Sequence, residues 1–370
     1  MRKTSLLTHT NNIEHLHTIN KFPVYMGCVD IEDIAEKDIF EDMIFDICKD
    51  TGIIQLRNTL SLDLTNKYSH NDGVGELWKL HNEKFSCFLK KFNLKNIVEI
   101  GGGSGKLANM HVESNPLCKW TIIDKNYTGL NCNKINVVYD WFDANKSLFE
   151  YDAVVHSHVF EHIHNPEKFL CNMRKNINNN AYHIFSVPNL YEWLKNKYTN
   201  CLNFEHTVFL TEEIIDILLQ KCGFEIVDKV KYQDHSIFYV CKPGEIKNIE
   251  YKNNYENYKK LFLDFISYYE NLIKHINNKT KKSNSVYLFG AHIFSQYLIF
   301  SGLDTKNIEC ILDNSKLKLG KRLYGTNLKI KLPEYVINID SPQIIVIAGT
   351  YTEEIKVDIQ SKINATALFL

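Results

Sequence analysis

Ile97-Val98-Glu99-Ile100-Gly101-Gly102-Gly103-Ser104-Gly105-Lys106-Leu107 is the stretch on which the reading of the whole chain turns. A short β-branched run ends in an acid and then breaks into four glycines within five residues. That is the pattern of a buried strand, a tight turn and the start of a helix. Glycine is needed there because the bend demands positive φ and because a Cβ would hold a ligand off the backbone. Gly105-Lys106 is followed by Leu107 rather than Ser or Thr, which argues against a nucleoside triphosphate loop. Gly101, Gly103 and Gly105 give G-x-G-x-G instead of the G-x-G-x-x-G of a dinucleotide site, and Glu99 at the strand end would repel a pyrophosphate.

Working outward, a strand over 120–123 closes on Asp124, an acid placed to accept both hydroxyls of a ribose, or else to cap the next turn. A third strand from 135 runs into Asp140-Trp141-Phe142-Asp143. The fourth, 151–158, opens on Val159-Phe160-Glu161-His162-Ile163-His164-Asn165-Pro166, at the sheet edge where ligands of open α/β sheets collect. A fifth strand over 183–187 ends at Pro188-Asn189. Thr211 is placed to cap a helix whose apolar face carries Ile214, Ile215, Leu218 and Leu219. Strands near 224–227 and 234–240 follow.

The 370 residues suffice for two or three domains, and a formal net charge of −1 gives no sequence-wide case for nucleic acid or an anionic membrane. No apolar run reaches membrane-spanning length, and the first ten residues are too short and polar for a signal peptide, so a cytoplasmic location is expected. Ten cysteines are scattered without a Cys-x-x-Cys pair, which predicts reduced thiols.

The E-x-G-x-G-x-G pattern at Glu99 to Gly105, joined to x-E-H-x-x-x-P at Glu161, His162 and Pro166, resembles the class I S-adenosylmethionine (SAM) dependent methyltransferases. The resemblance implies an α/β fold with a seven-stranded Rossmann-like core, its last strand antiparallel. It implies SAM as cofactor, cradled by Glu99, Gly101, Gly103, Gly105, Asp124 and His156, with adenine held by Phe142 and Asp143, or by Asp140 with Trp141. Within that group the chain looks most like the sugar C-methyltransferases. Their Tyr-x-His segment is matched by Tyr68 and His70, their Glu-His-x-x-Phe segment by Glu205, His206 and Phe209, and their later histidine by His235. His206 then becomes the general base, Glu205 its neighbour, Tyr68 and His235 partners of the substrate, and His70, Glu161, His162 and Asn189 walls of the substrate pocket. Histidine is the ordinary base near neutral pH.

The resemblance also implies a small N-terminal domain with a four-cysteine zinc knuckle. Only Cys28 and Cys48 remain here, with Thr51 in the place of a ligand, so no zinc is expected at that position: two lone thiols cannot complete a tetrahedral site. Among the crowded histidines, His158 and His162 have i, i+4 spacing, but His158 falls at a strand end, and no metal is expected.

The domains expected are 1–75, N-terminal and knuckle-like; 76–245, the SAM-binding core; 246–283, a helical linker bearing Tyr258, Phe262, Phe265 and Tyr269; and 284–370, a second α/β domain. In the last, Gly290-Ala291 and Asp313, Lys318 and Gly320 match the C-terminal domain of the sugar C-methyltransferases. The function expected is methyl transfer to a sugar, nucleotide-linked, in surface glycan synthesis. The alternatives are a non-sugar small molecule or a non-catalytic SAM-fold binding protein.

Overall fold

The computed structural model describes residues 1–33, 35–61, 64, 75–129, 133–281, 283 and 285–370. The chain begins with β1 (Ile13–Pro23), β2 (Cys28–Val29), β3 (Phe40–Cys48) and β4 (Ile54–Leu56). β1, β3 and β4 form an antiparallel sheet. Cys28 and Cys48 lie in separate sheets, the Cys28 thiol donating to the Ala291 carbonyl at 3.3 Å. Neither cysteine belongs to a group of potential metal ligands found among the described residues.

Helix α1 (Glu76–Lys90) leads into the central sheet, whose strands are β5 (Asn96–Ile100), β6 (Lys119–Ile123), β7 (Ile135–Val138), β8 (Ala153–Ser157), β9 (Tyr182–Pro188), β10 (Phe224–Tyr232) and β11 (Ser236–Pro243). Their spatial order is β7-β6-β5-β8-β9-β11-β10. The first five are parallel, and β11 runs antiparallel between β9 and β10. Parallel strands need crossovers, and helices supply them. These are α2 (Lys106–Ser114) after β5, α3 (Pro166–Asn176) after β8, and α4 (Leu190–Lys195) with α5 (Glu212–Lys221) after β9. α3 starts where the sequence signals it, with Pro166 in its first turn and the Asn165 side chain accepting from Lys168 N–H at 2.9 Å. Thr211 does stand before α5, but its hydroxyl is spent on Tyr258, 3.0 Å away, instead of capping the helix.

One expectation fails here. Cys171 in α3 and Cys222 at the end of α5 are joined as a disulfide. Fifty-one residues separate them in sequence, while helix packing brings their Cα atoms to 4.8 Å, a separation that bridged cysteines adopt.

Helix α6 (Tyr255–Thr280) buries Tyr258, Phe262, Phe265 and Tyr269 on one face, as their spacing predicts. Phe262 meets Phe45 at 5.0 Å, and Tyr269 meets Tyr297 at 5.0 Å, so the helix packs on the N-terminal sheet at one end and on the last segment at the other. That segment holds β12 (Val286–Phe289), α7 (Ile293–Phe300), β13 (Ile308–Leu312), β14 (Arg322–Leu323), β15 (Ile330–Lys331), β16 (Gln343–Val346), α8 (Thr352–Asp358) and β17 (Leu368–Phe369). Five of its strands form a parallel sheet, β15-β13-β12-β16-β17, while β14 pairs with β2. Beside that pair the buried Arg322 guanidinium grips Asp38 through two bonds of 2.6 and 2.9 Å. One continuous apolar core reaches from Phe45 through Val98 to Tyr297 and Ile330. No helix among the described residues is long and apolar enough to cross a membrane.

Candidate active site

The glycine bend follows β5. Gly101, Gly103 and Gly105 have φ of 69°, 56° and 71°, values that a side chain disfavours. A Cβ on Gly101 would come within 2.8 Å of Val159, and one on Gly102 within 2.7 Å of Ile122. Asp124 closes β6 and holds the bend from below. One carboxylate oxygen accepts from Gly103 N–H at 2.7 Å and the other from Asn126 N–H at 2.8 Å. Glu99 is buried, accepting from the Trp120 indole at 2.9 Å. Phe142 is half-buried against Phe169, centroid to centroid 5.9 Å, while Asp143 is exposed and accepts from Asn145.

The second cluster gathers at the C-terminal tips of β8 and β9, from segments distant in sequence. Ser157 ends β8; the next residue, His158, takes a left-handed φ of 53°, and a single helical turn then presents Glu161 and His162. The Glu205-His206 segment arrives from the other side, pinned by the N-terminal sheet. Leu56 N–H bonds Thr207 O at 2.9 Å and Phe209 N–H bonds Ile54 O at 2.8 Å. The Arg2 guanidinium reaches the carbonyls of Leu56, Thr207 and His164 at 3.0, 2.6 and 2.7 Å.

His162 stands between two carboxylates, Glu205 at 3.7 Å and Glu161 at 3.9 Å, with its ring 5.2 Å from that of His206. Burial pushes the His206 imidazole down to about 4, His162 adds to this, and Glu161 and Glu205 oppose it. Its ring is therefore neutral and carries a lone pair at neutral pH. Burial raises the Glu161 carboxyl above its usual range, against the pull of His162 and His206. His235 is pushed down to about 3 by burial and by His158, and bonds the Ser236 hydroxyl at 2.6 Å.

Of the residues singled out in the sequence, Glu161, His162, Glu205 and His206 converge, with His235 nearby beside His158. His156 does not join them. It is fully buried among Phe160, Phe169, Phe185 and His183, its Nε2 2.9 Å from that of His183. As a cofactor contact it is corrected: a ring enclosed by the core cannot touch a ligand in the cleft. Asn189 caps α4, accepting from Glu192 N–H at 3.4 Å. Tyr68 and His70 lie outside the described residues.

Two residues of the neighbourhood went unassigned in the sequence. His81 lies on the inner face of α1 with Phe85, Phe88 and Leu89, and is wholly buried. Its signal was a polar residue on an apolar stripe. Trp78 packs against His81, His158 and His235 at 5.2, 4.7 and 4.9 Å.

Residues 76–229 match the methyltransferase domain family and residues 234–370 the C-methyltransferase C-terminal domain family. The second match begins before β11, so a strand of the central sheet belongs by sequence to the C-terminal family. No protein among the curated sequences matches the chain. Among solved structures, the chain is similar to human N-acetylserotonin methyltransferase in complex with SAM, with 17% identity, 46% of this chain and 53% of that one covered, and a TM-score of 0.37. It is similar to an O-methyltransferase family protein from Burkholderia thailandensis, with 8% identity, 46% and 57% covered, and a TM-score of 0.37. A third is a plantazolicin methyltransferase in complex with SAH, with 15% identity, 44% and 82% covered, and a TM-score of 0.34. The chain spans little more than half the length of the first two, 53% and 57%. Residues 76–229 thus carry a methyltransferase domain and residues 234–370 a C-methyltransferase C-terminal domain, the first of them on the seven-stranded sheet described above.

Proposed function

We propose that the chain transfers the methyl group of SAM to a nucleotide-linked sugar, at carbon or oxygen, with His206 as general base. The observation that carries this reading is the convergence of Glu161, His162, Glu205 and His206 at the sheet edge, faced by the C-terminal domain. His292 of that domain is pushed down to about 4 by burial and by Lys318, while Glu205 pulls it the other way. Glu205 and Lys318 thus act on one ring from two domains. Lys318 itself is held by Asp313 at 2.9 Å, and that carboxylate also accepts from Ala291 N–H at 2.8 Å.

A substrate seated there meets the Lys318–Asp313 pair on its C-terminal-domain side, whose ammonium suits a phosphorylated carrier, and imidazole and carboxylate on its other side, suited to sugar hydroxyls. Methyl transfer is an in-line displacement, so the protein must align nucleophile and methyl group and remove a proton. His206 takes that proton from the carbon beside a keto group or from a hydroxyl, as the sulfonium carbon moves to the acceptor and S-adenosylhomocysteine departs. Glu205 and His162 orient and solvate the imidazolium that forms.

Incubating the chain with SAM and a panel of nucleotide sugars, keto-sugars included, and weighing the products tests this directly. One added methyl group on a nucleotide sugar supports the assignment. Turnover of SAM on other small acceptors, with every nucleotide sugar unchanged, refutes it.

A further inference from the structure

His81, His158 and His235 come from α1, the tip of β8 and the turn before β11. One ring nitrogen of each lies within 4.8 Å of those of the other two. The ring centroids form a nearly equal triangle with sides of 5.3, 5.4 and 5.6 Å. Three imidazoles bound to a tetrahedral ion, each with its nitrogen roughly 2.0–2.1 Å from the metal, have ring centres about 5 Å apart. The triangle is therefore of the right size. The nitrogens would need to close to roughly 3.4 Å, which modest rotation of the rings supplies.

The surroundings are those of ligating histidines. A metal-bound imidazole characteristically has its second nitrogen fixed by a hydroxyl, carbonyl or carboxylate. His81 Nε2 is 2.9 Å from the Ser186 hydroxyl, and His235 Nδ1 is 2.6 Å from that of Ser236. Both His158 nitrogens have such a neighbour, Ser236 at 2.9 Å from Nε2 and Glu161 at 3.3 Å from Nδ1, so binding an ion exchanges one of these contacts for the metal and keeps the other. Burial keeps all three rings neutral, the form that binds metal. His158 also holds its left-handed φ of 53° without being glycine, a conformation retained where the surroundings enforce it and concentrated at functional sites.

We propose that His81, His158 and His235 form a binding site for a zinc-like divalent transition ion. An all-imidazole donor set suits zinc or cobalt and does not suit magnesium or calcium, which take oxygen ligands. The site borders Glu161 but uses neither His162 nor His206, so the ion stands beside the proposed base without replacing it. The binding claim is independent of the methyl-transfer reading.

The full chain, stripped with a chelator, is titrated with Zn2+ by calorimetry and with Co2+ by visible absorption. One ion per chain and a tetrahedral Co2+ spectrum are expected. His158→Ala and His235→Ala should each weaken binding at least tenfold, as should the bulkier His158→Gln if the alanine variant folds poorly by circular dichroism. Ser236→Ala should weaken it roughly ten- to a hundredfold through loss of the hydroxyl that orients two ligands. His162→Ala should leave Zn2+ affinity intact. Absence of stoichiometric binding to the native chain overturns the proposal. So does binding that survives loss of His158 and His235, or that disappears with His162.

Discussion

Asn203 holds His206 from two sides, its Oδ1 accepting the His206 backbone N–H at 2.8 Å and its amide nitrogen lying 3.2 Å from the imidazole Nδ1. The Cys201 carbonyl, 3.3 Å from the same Nδ1, can only accept, while the Asn203 amide has two N–H donors and gives one of them to Asn200 O at 2.9 Å. A proton on Nδ1 would go to the Cys201 carbonyl and leave the lone pair on Nε2, whereas a lone pair on Nδ1 would accept from the Asn203 amide.

That geometry makes His206 and Asn203 separable. His206→Ala should lower kcat roughly a hundredfold or more while SAM affinity measured by calorimetry stays constant. Asn203→Ala should lower kcat by roughly tenfold, about 1.4 kcal/mol of barrier, with SAM affinity again constant. Full turnover by His206→Ala would remove it as the base.

Gly101→Ala tests the bend. The added methyl meets Val159 at 2.8 Å on a residue whose φ is 69°, and left-handed backbone costs a side chain about 1–2 kcal/mol. SAM binding should weaken by roughly tenfold or more, and the urea midpoint should fall. Gly290, also at positive φ but with open space around its Cβ position, is the control: Gly290→Ala should lower stability and spare SAM affinity. Equal loss of affinity in both variants would sink the assignment of the bend to the cofactor.

Acid should unfold the chain through its buried histidines. Burial holds His156 well below the ordinary 6.5, pushes His183 down to about 3, and pushes His206 down to about 4. With folded values lowered, the unfolded chain binds protons first as pH falls below about 6.5. The stabilisation is thus complete above that pH and lost progressively toward the folded values, by up to about 1.4 kcal/mol per pH unit for each such ring. Urea midpoints compared at pH 7.5 and pH 5 should drop steeply, and less so in His183→Phe. A flat profile would show that these rings take up protons inside the fold.

Asp38 and Arg322 lock the N-terminal segment to the C-terminal domain, both side chains almost wholly buried at 4% and 3% exposure. Removing one partner strands a charge, so Asp38→Ala should cost about 3–5 kcal/mol. Replacing both with apolar residues of similar volume should restore much of it. Denaturation of the single and double variants measures this, and a double variant no more stable than the single would count against the pair.

The Gly101 to Gly105 bend, the acids Glu99 and Asp124, and the Glu161-His162 landmark were legible because each signal is local: period-two apolar runs, glycines at a forced bend, and an acid at a strand end. The same holds for the face of α6, whereas the antiparallel course of the strand between β9 and β10 was implied by the family resemblance and not by any local signal. His156 misled because its place at a strand tip was read without its direction. Alternation along β8 turns it into the core, against Phe185 and His183.

By itself, then, the sequence determined the central fold, the glycine bend and the acids around it, since backbone preference and apolar periodicity act over a few residues. Only the tertiary structure decided which distant side chains meet. It placed His162 between Glu161 and Glu205, joined Cys171 to Cys222, and gathered His81, His158 and His235 into one triangle. Packing of whole helices and sheets sets those distances, and no spacing along a single element encodes them.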